Sequence, residues 1–273
     1  MVHFFKLNFK VGFMLDKQRL KEAFKGFSDK KPFPYCVVDD FFPESLALEL
    51  SSEFPEFNDS KWHEYNNSIE IKKVSNNWNL FPKTTYDTFR YLNSVEVTTL
   101  LEELTGIPVL LSDPGLNGGG WHIHANGGKL NPHLDYSLHP KMPYQRKLNI
   151  IVYLQKDWQP AWGGHLGIYD HEQDGSCGKL ITEIEPKFNR AVFFDTTMNS
   201  WHGLCREVSS PEGICRKSMA VYYLTTPPEN VDDRGKALFA PTDAQKDDPE
   251  VLDLIKKRSQ INSASEVYNQ ADN

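Results

Sequence analysis

At 273 residues the chain is long enough to bury a sizeable core as one large domain with a helical flank. A hydrophobic content of 39% and an aromatic content of 12% are those of a globular protein. A net charge of -7 gives no basic excess to offset phosphate, which argues against nucleic-acid binding as the main task.

The N-terminus has no long apolar run and no small-residue cleavage site, and no stretch approaches the length of a bilayer span. The expectation is a cytoplasmic protein without membrane contact. Cys36, Cys177, Cys205 and Cys215 form no CxxC pair and read as reduced structural thiols.

Residues 15–25 have helical spacing, and PYCVVDDFF at 34–42 reads as a short strand. Pro43 stands where a helix would start, and ESLALELSSEF follows it. The Asn-, charge- and aromatic-rich stretch 61–78 reads as a loop, either a solvated connection or a lid over a site. Residues 87–105 read as one or two helices stopped by Gly106. Residues 1–106 thus make a helical and strand support region of the same domain.

After residue 107 short runs of Val, Ile, Tyr and Phe alternate with Gly, Pro and Asp. The spacing predicts strands near 109–112, 121–125, 147–154, 165–169, 179–185, 190–195, 202–207 and 216–225. Short strands with turns between them imply a sandwich or jelly roll over 107–230, with helices on one outer face. The Gly-rich stretch 112–121 lacks the strand–loop–helix and lysine context of a phosphate loop and reads as a turn. Residues 231–273 form a polar tail, in which DDPEVLDLIKKR predicts one helix capped by Asp247 or Asp248 and the last residues fray.

The chemistry lies between Asn131 and Ser218. His133 and Asp135 are two apart, so on a strand they share one face. His202 opens a later strand, after a short loop. Two imidazoles and one carboxylate are the ligand set of the two-His-one-carboxylate iron site, though Mn, Co or Zn suit the same donors. In RKSMAVYYL, Arg216, Ser218 and Ala220 share a face while Lys217 points away. An arginine turned into a barrel needs an anion, and its planar fork suits a carboxylate. Lys217 takes that role if the register slips by one. Asn149 shares a face with Ile151 and Tyr153 and is a candidate polar pocket residue. His122 and His124 share a face upstream. If that face is inward, His124 contacts co-substrate or substrate; if it is outward, Trp121 and Ile123 are core.

This segment resembles the core of a 2-oxoglutarate- and Fe(II)-dependent dioxygenase of the prolyl 4-hydroxylase-like type. The resemblance rests on His133-x-Asp135, His202, the Arg216-x-Ser218 pair, RKLNIIVYL and GGHLGIYD, with PYCVVDDFFPESLALELSSEFP upstream. It implies a fold that is mainly β with flanking helices, a double-stranded β-helix (jelly roll, cupin-like). It also implies Fe(II) on His133, Asp135 and His202, and 2-oxoglutarate as co-substrate. The far carboxylate would sit on Arg216 with Ser218 and Tyr153, and Leu166 would line the same pocket. Ascorbate is the candidate reductant. The implied reaction hydroxylates an unactivated C–H bond of a protein prolyl residue, an amino acid or a small metabolite, releasing succinate and CO2. A carboxylate at 135 argues against halogenation, for which the superfamily keeps a small residue there. The alternatives are a cupin-like metal-binding protein using His122 and His124, for which ANGGKLNP supplies no Glu, and an inactive binding module on the same barrel. Desaturation instead of hydroxylation, and the oligomeric state, stay open at this level.

Overall fold

A computed structural model of the chain describes residues 15–196 and 199–260. Residues 1–14, 197–198 and 261–273 lie outside that description, and with them most of the tail expected to fray.

The N-terminal part runs α1 (Lys17–Ala23), β1 (Tyr35–Val38), α2 (Glu44–Ser52), β2 (His63–Asn66), β3 (Glu70–Ser75), α3 (Lys83–Leu92) and α4 (Val95–Thr105). The stretch expected as one or two helices is two. The first ends at Leu92 with Asn93 as its C-cap, and the Ser94 hydroxyl accepts from Val97 N at 3.4 Å to cap the second, which stops at left-handed Gly106 (φ 73°). The stretch read as a loop or lid, 61–78, is instead largely the antiparallel β2–β3 pair.

The remaining strands are β4 (Leu111–Ser112), β5 (Gly120–His124), β6 (Lys129–Leu130), β7 (His133–Leu134), β8 (Gln145–Tyr153), β9 (Leu166–His171), β10 (Cys177–Ile184), β11 (Ala191–Asp195), β12 (His202–Leu204), β13 (Arg216–Thr225) and β14 (Leu238–Phe239). A last helix, α5 (Pro249–Ser259), is capped by the Asp248 side chain. The larger sheet runs β1-β11-β8-β13-β5-β3-β2, with β4 on β13 and β6 on β3; the smaller runs β10-β9-β12-β7-β14. All these pairings are antiparallel, and the architecture is a double-stranded β-helix. β14 shows that the C-terminal stretch also joins a sheet.

Alternation along the strands sorts the residues. Leu148, Ile150 and Val152 of β8 and Met219, Val221 and Tyr223 of β13 face outward into a core closed by the N-terminal helices. The intervening residues Asn149, Ile151, Arg216, Ser218, Ala220 and Tyr222 line a cavity between the sheets. Trp121 belongs to the outer core, with its ring 4.9 Å from Phe81 and 5.2 Å from Phe54. Gly120 (φ 91°) lets β3 cross here, since a Cβ would collide with the Ser75 carbonyl. Trp121→Ala should cost about 3–5 kcal/mol. Denaturant unfolding reads this directly, and a loss under 1 kcal/mol would show that the outer core does not hold the sheet in place.

The four cysteines are all free, with Cys36 and Cys215 buried. No helix among the described residues is long and apolar enough to cross a membrane.

Candidate active site

β7 and β12 pair directly through His133 and His202, so the two imidazoles stand side by side with ring centroids 4.4 Å apart. Asp135 lies two residues past His133, with Oδ1 at 3.8 Å from His133 Nε2 and Oδ2 at 3.8 Å from His202 Nε2. All three side chains are buried, and their candidate ligand atoms fall within 4.8 Å of one another. This is the one group with that property among the described residues; His122 and His124 gain no third ligand.

Backbone carbonyls fix the imidazoles. His133 Nδ1 meets Asn131 O at 3.0 Å and His202 Nδ1 meets Ser200 O at 2.8 Å. Each Nδ1 therefore carries the proton, and each Nε2 lone pair turns toward Asp135. Phe239 stacks on the His133 ring at 5.1 Å, and Phe194 lies 4.6 Å from that of His202. Burial and the neighbouring His202 push His133 down to about 3, leaving it neutral and ready to ligate. Burial alone would raise Asp135, but His202, Arg146 and His133 outweigh it and hold the carboxyl below its ordinary range. Asp135 Oδ2 has no hydrogen-bond partner. Two imidazoles, a carboxylate and an orphaned oxygen fit a divalent metal.

At the other end of the cavity stands Arg216, on β13 opposite His124 of β5. Its Nε donates to Gly164 O at 2.8 Å and its guanidinium lies 4.8 Å from the Tyr153 ring centroid. Gly164 (φ 67°) belongs here because a Cβ would sit 2.8 Å from Arg216 Cδ. Burial lowers the Arg216 pKa, partly offset by Tyr153, and no carboxylate pairs with it among the described residues. A buried guanidinium without a counter-ion calls for an anion. The cavity between Arg216 and the triad holds about 290 Å³.

Ser218, Asn149, Leu166 and His124 all line this cavity. Asn149 Oδ1 and both His124 nitrogens are buried without partners. Tyr153 is fully buried behind Arg216, and its hydroxyl also lacks a well-formed hydrogen bond. Lys217, the rival to Arg216, faces the opposite side of the sheet and donates to Ser51 O at 3.2 Å.

Residues 119–224 match the model of the 2OG-Fe(II) oxygenase superfamily. These residues belong to that superfamily. It is similar to prolyl 3-hydroxylase OGFOD1 of Xenopus laevis, at 30% identity over 240 residues, which covers 79% of this chain and 42% of that protein. The mouse counterpart is 23% identical over 222 residues, covering 73% of this chain and 35% of its own length. The chain thus spans well under half the length of these curated relatives. Among solved structures it is similar in fold to a Pseudomonas putida prolyl-4-hydroxylase, with a TM-score of 0.51 at 16% identity, covering 75% of this chain and 97% of that one.

The oxygenase cavity also contains residues that sequence reasoning missed. Arg146 Nη1 lies 3.7 Å from Asp135 Oδ1, and its guanidinium is clamped between the rings of Tyr136 (3.3 Å) and Tyr222 (3.7 Å). Arg234 Nη2 donates to the Asp135 carbonyl at 3.0 Å. Glu70, Lys72, Lys236 and Arg258 complete the wall. The signal for Arg146 was its position at the head of RKLNIIVYL, at the inward phase shared with the later wall residues only after a strand irregularity.

The buried histidines give the oxygenase a pH signature. Burial, then Arg216, pushes His124 far below its ordinary value, and His133 is likewise depressed. A histidine with a lowered folded pKa takes up a proton on unfolding. Its contribution is therefore complete above about pH 6.5 and is lost as the pH falls toward the folded value. The metal-free protein should lose stability from pH 6.5 to 4 by up to about 1.4 kcal/mol per pH unit for each histidine. Melting curves across this range test it; a flat Tm would contradict it, and His124→Asn should flatten the slope.

Proposed function

We propose that the protein is a 2-oxoglutarate- and O2-dependent Fe(II) dioxygenase that hydroxylates an unactivated C–H bond of a prolyl residue in a protein, of an amino acid or of a small metabolite. The observation that carries this reading is one cavity with a three-ligand set at one end and a buried, anion-free arginine at the other. The similarity to prolyl 3-hydroxylases supports the prolyl option.

His133, Asp135 and His202 would hold Fe(II) at this end of the cavity. Bound there, Fe(II) supplies O2 activation coupled to oxidative decarboxylation of 2-oxoglutarate. Arg216 takes the far carboxylate of 2-oxoglutarate through its fork, and Ser218 adds a hydrogen bond. Tyr153 backs the guanidinium and keeps it from swinging away. Ile151, Leu166 and Leu204 dry the wall between the two ends, which strengthens the charged contacts inside. His124 and Asn149 offer unpartnered polar atoms to the bound molecules. The carboxylate of Asp135 argues against halogenation.

Incubation with Fe(II), ascorbate, 2-oxoglutarate and 18O2 in the presence of prolyl peptides, amino acids or a metabolite extract tests this function. One labelled atom should enter succinate and one the hydroxylated product. A product labelled from water, or lacking two hydrogens without gaining oxygen, would overturn the hydroxylase assignment.

A further inference from the structure

The charges on the wall of the active-site cavity do not balance. Five basic side chains line it, Lys72, Arg146, Arg216, Lys236 and Arg258, against two carboxylates, Glu70 and Asp135. The whole chain has the opposite sign, at -7. Fe(II) and 2-oxoglutarate, a dication and a dianion, cancel each other and leave the excess in place.

The excess is concentrated away from Arg216. Arg146 lies against Asp135, with Nη1 3.7 Å from Oδ1, and Arg216 stands at the opposite end from the triad. Glu70, fully buried, is shared: Arg258 donates to its Oε1 at 2.6 and 3.1 Å, while Lys72 Nζ lies 3.1 Å from Oε2. One carboxylate thus serves two cations. Lys236 forms no ion pair among the described residues. Lys72 lines the same cavity as His122, His124 and His133. From there a second cavity of about 610 Å³ continues along β2 and β3, sharing Tyr65, Lys72, Gly118 and His122. Its wall, which includes Lys61, His63 and Asn77, contains no Asp or Glu. A cavity wall with this excess of cations favours an anion from the third reactant.

We propose that the substrate bears a carboxylate that docks on Lys72 and Lys236, in the cavity that also holds the triad. This rests on the oxygenase reading and names the substrate class for that same site. The carboxylate comes from a free small acid or from an acidic side chain next to the modified residue of a peptide; both present the same group to the two lysines.

The test uses the protein loaded with Mn(II), a paramagnetic stand-in for Fe(II), and saturated with 2-oxoglutarate. The probes are acetate against acetamide, and the capped peptide Ac-Ala-Glu-Ala-NH2 against Ac-Ala-Gln-Ala-NH2. Saturable relaxation of the probe protons by the metal gives each affinity. At least one acid should bind about tenfold tighter than its amide, a difference of about 1.4 kcal/mol, and the preference should vanish in Lys72→Gln/Lys236→Gln. The acid with the larger preference identifies the source. The single variant Lys236→Gln, at a half-buried position, serves if melting shows the double variant unfolded. Equal binding of acid and amide, no saturable relaxation by any probe, or a preference that survives both variants would overturn the inference. Binding of 2-oxoglutarate in the same sample separates the failures. If it is present without an acid preference, only this inference falls; if it is absent, the oxygenase reading falls with it.

Discussion

Arg216→Met is expected to weaken 2-oxoglutarate binding by about 2–5 kcal/mol, roughly thirtyfold to several-thousandfold. The guanidinium is buried, is held by Gly164 O at 2.8 Å and has no carboxylate partner among the described residues, and the proposed function makes the co-substrate its counter-ion. Methionine keeps the stem's packing and removes charge and fork together. Arg216→Lys should fall between the two, because a point charge cannot make the paired contacts of the planar fork. Gly164→Ala should act in the same direction without touching the arginine, since its Cβ would press on Arg216 Cδ at 2.8 Å. Calorimetric titration of 2-oxoglutarate into the Mn(II)-loaded variants measures all three. Unchanged affinity in Arg216→Met would remove the arginine from the co-substrate site.

Asp135→Ala is expected to abolish useful metal affinity. Loss of an outer partner of a metal ligand costs about 10–100-fold, and loss of the anionic ligand itself should exceed that. Two imidazoles would remain, with the Arg146 cation at the site and its carboxylate partner gone. Removing one member of a buried pair costs about 3–5 kcal/mol, so part of the effect will appear as lower stability. Asp135→Asn separates the two: it keeps the shape and an oxygen donor but loses the charge. Metal titration and melting of both variants should show affinity falling in each and stability falling more in alanine. Metal affinity within threefold of the parent in either variant would rule out the His133–Asp135–His202 site.

Much of this site could be read from the sequence because its residues sit on strands with regular alternation. In β13 the phase that puts Val221 and Tyr223 in the outer core turns Arg216, Ser218 and Tyr222 into the cavity. The choice posed for His122 and His124 was a false one. β5 lies inside the sheet between β13 and β3, so Trp121 and Ile123 are core on one face while His124 is buried on the other. The β2–β3 pair escaped because HEYN and EIKKVS are polar and lack a clean alternation. Lys72 faces Glu70 inside the cavity, and Lys73 faces Glu64 outside it. β6, β7 and β14 are two residues long, too short for any periodic signal. Phe239 and Arg258 reach the site only through pairing with distant segments, β14 on β7 and α5 on Glu70, and nothing local to either residue announces it.

The central claim is that this cavity couples 2-oxoglutarate oxidation to O2 through the triad and Arg216. Succinate formed by the purified protein, given Fe(II) and ascorbate anaerobically and then O2, tests it most directly, with His133→Ala and Arg216→Ala measured alongside. The account predicts succinate that appears only after O2 is admitted and is lost in both variants. Succinate formed without O2, or retained in either variant, would contradict it.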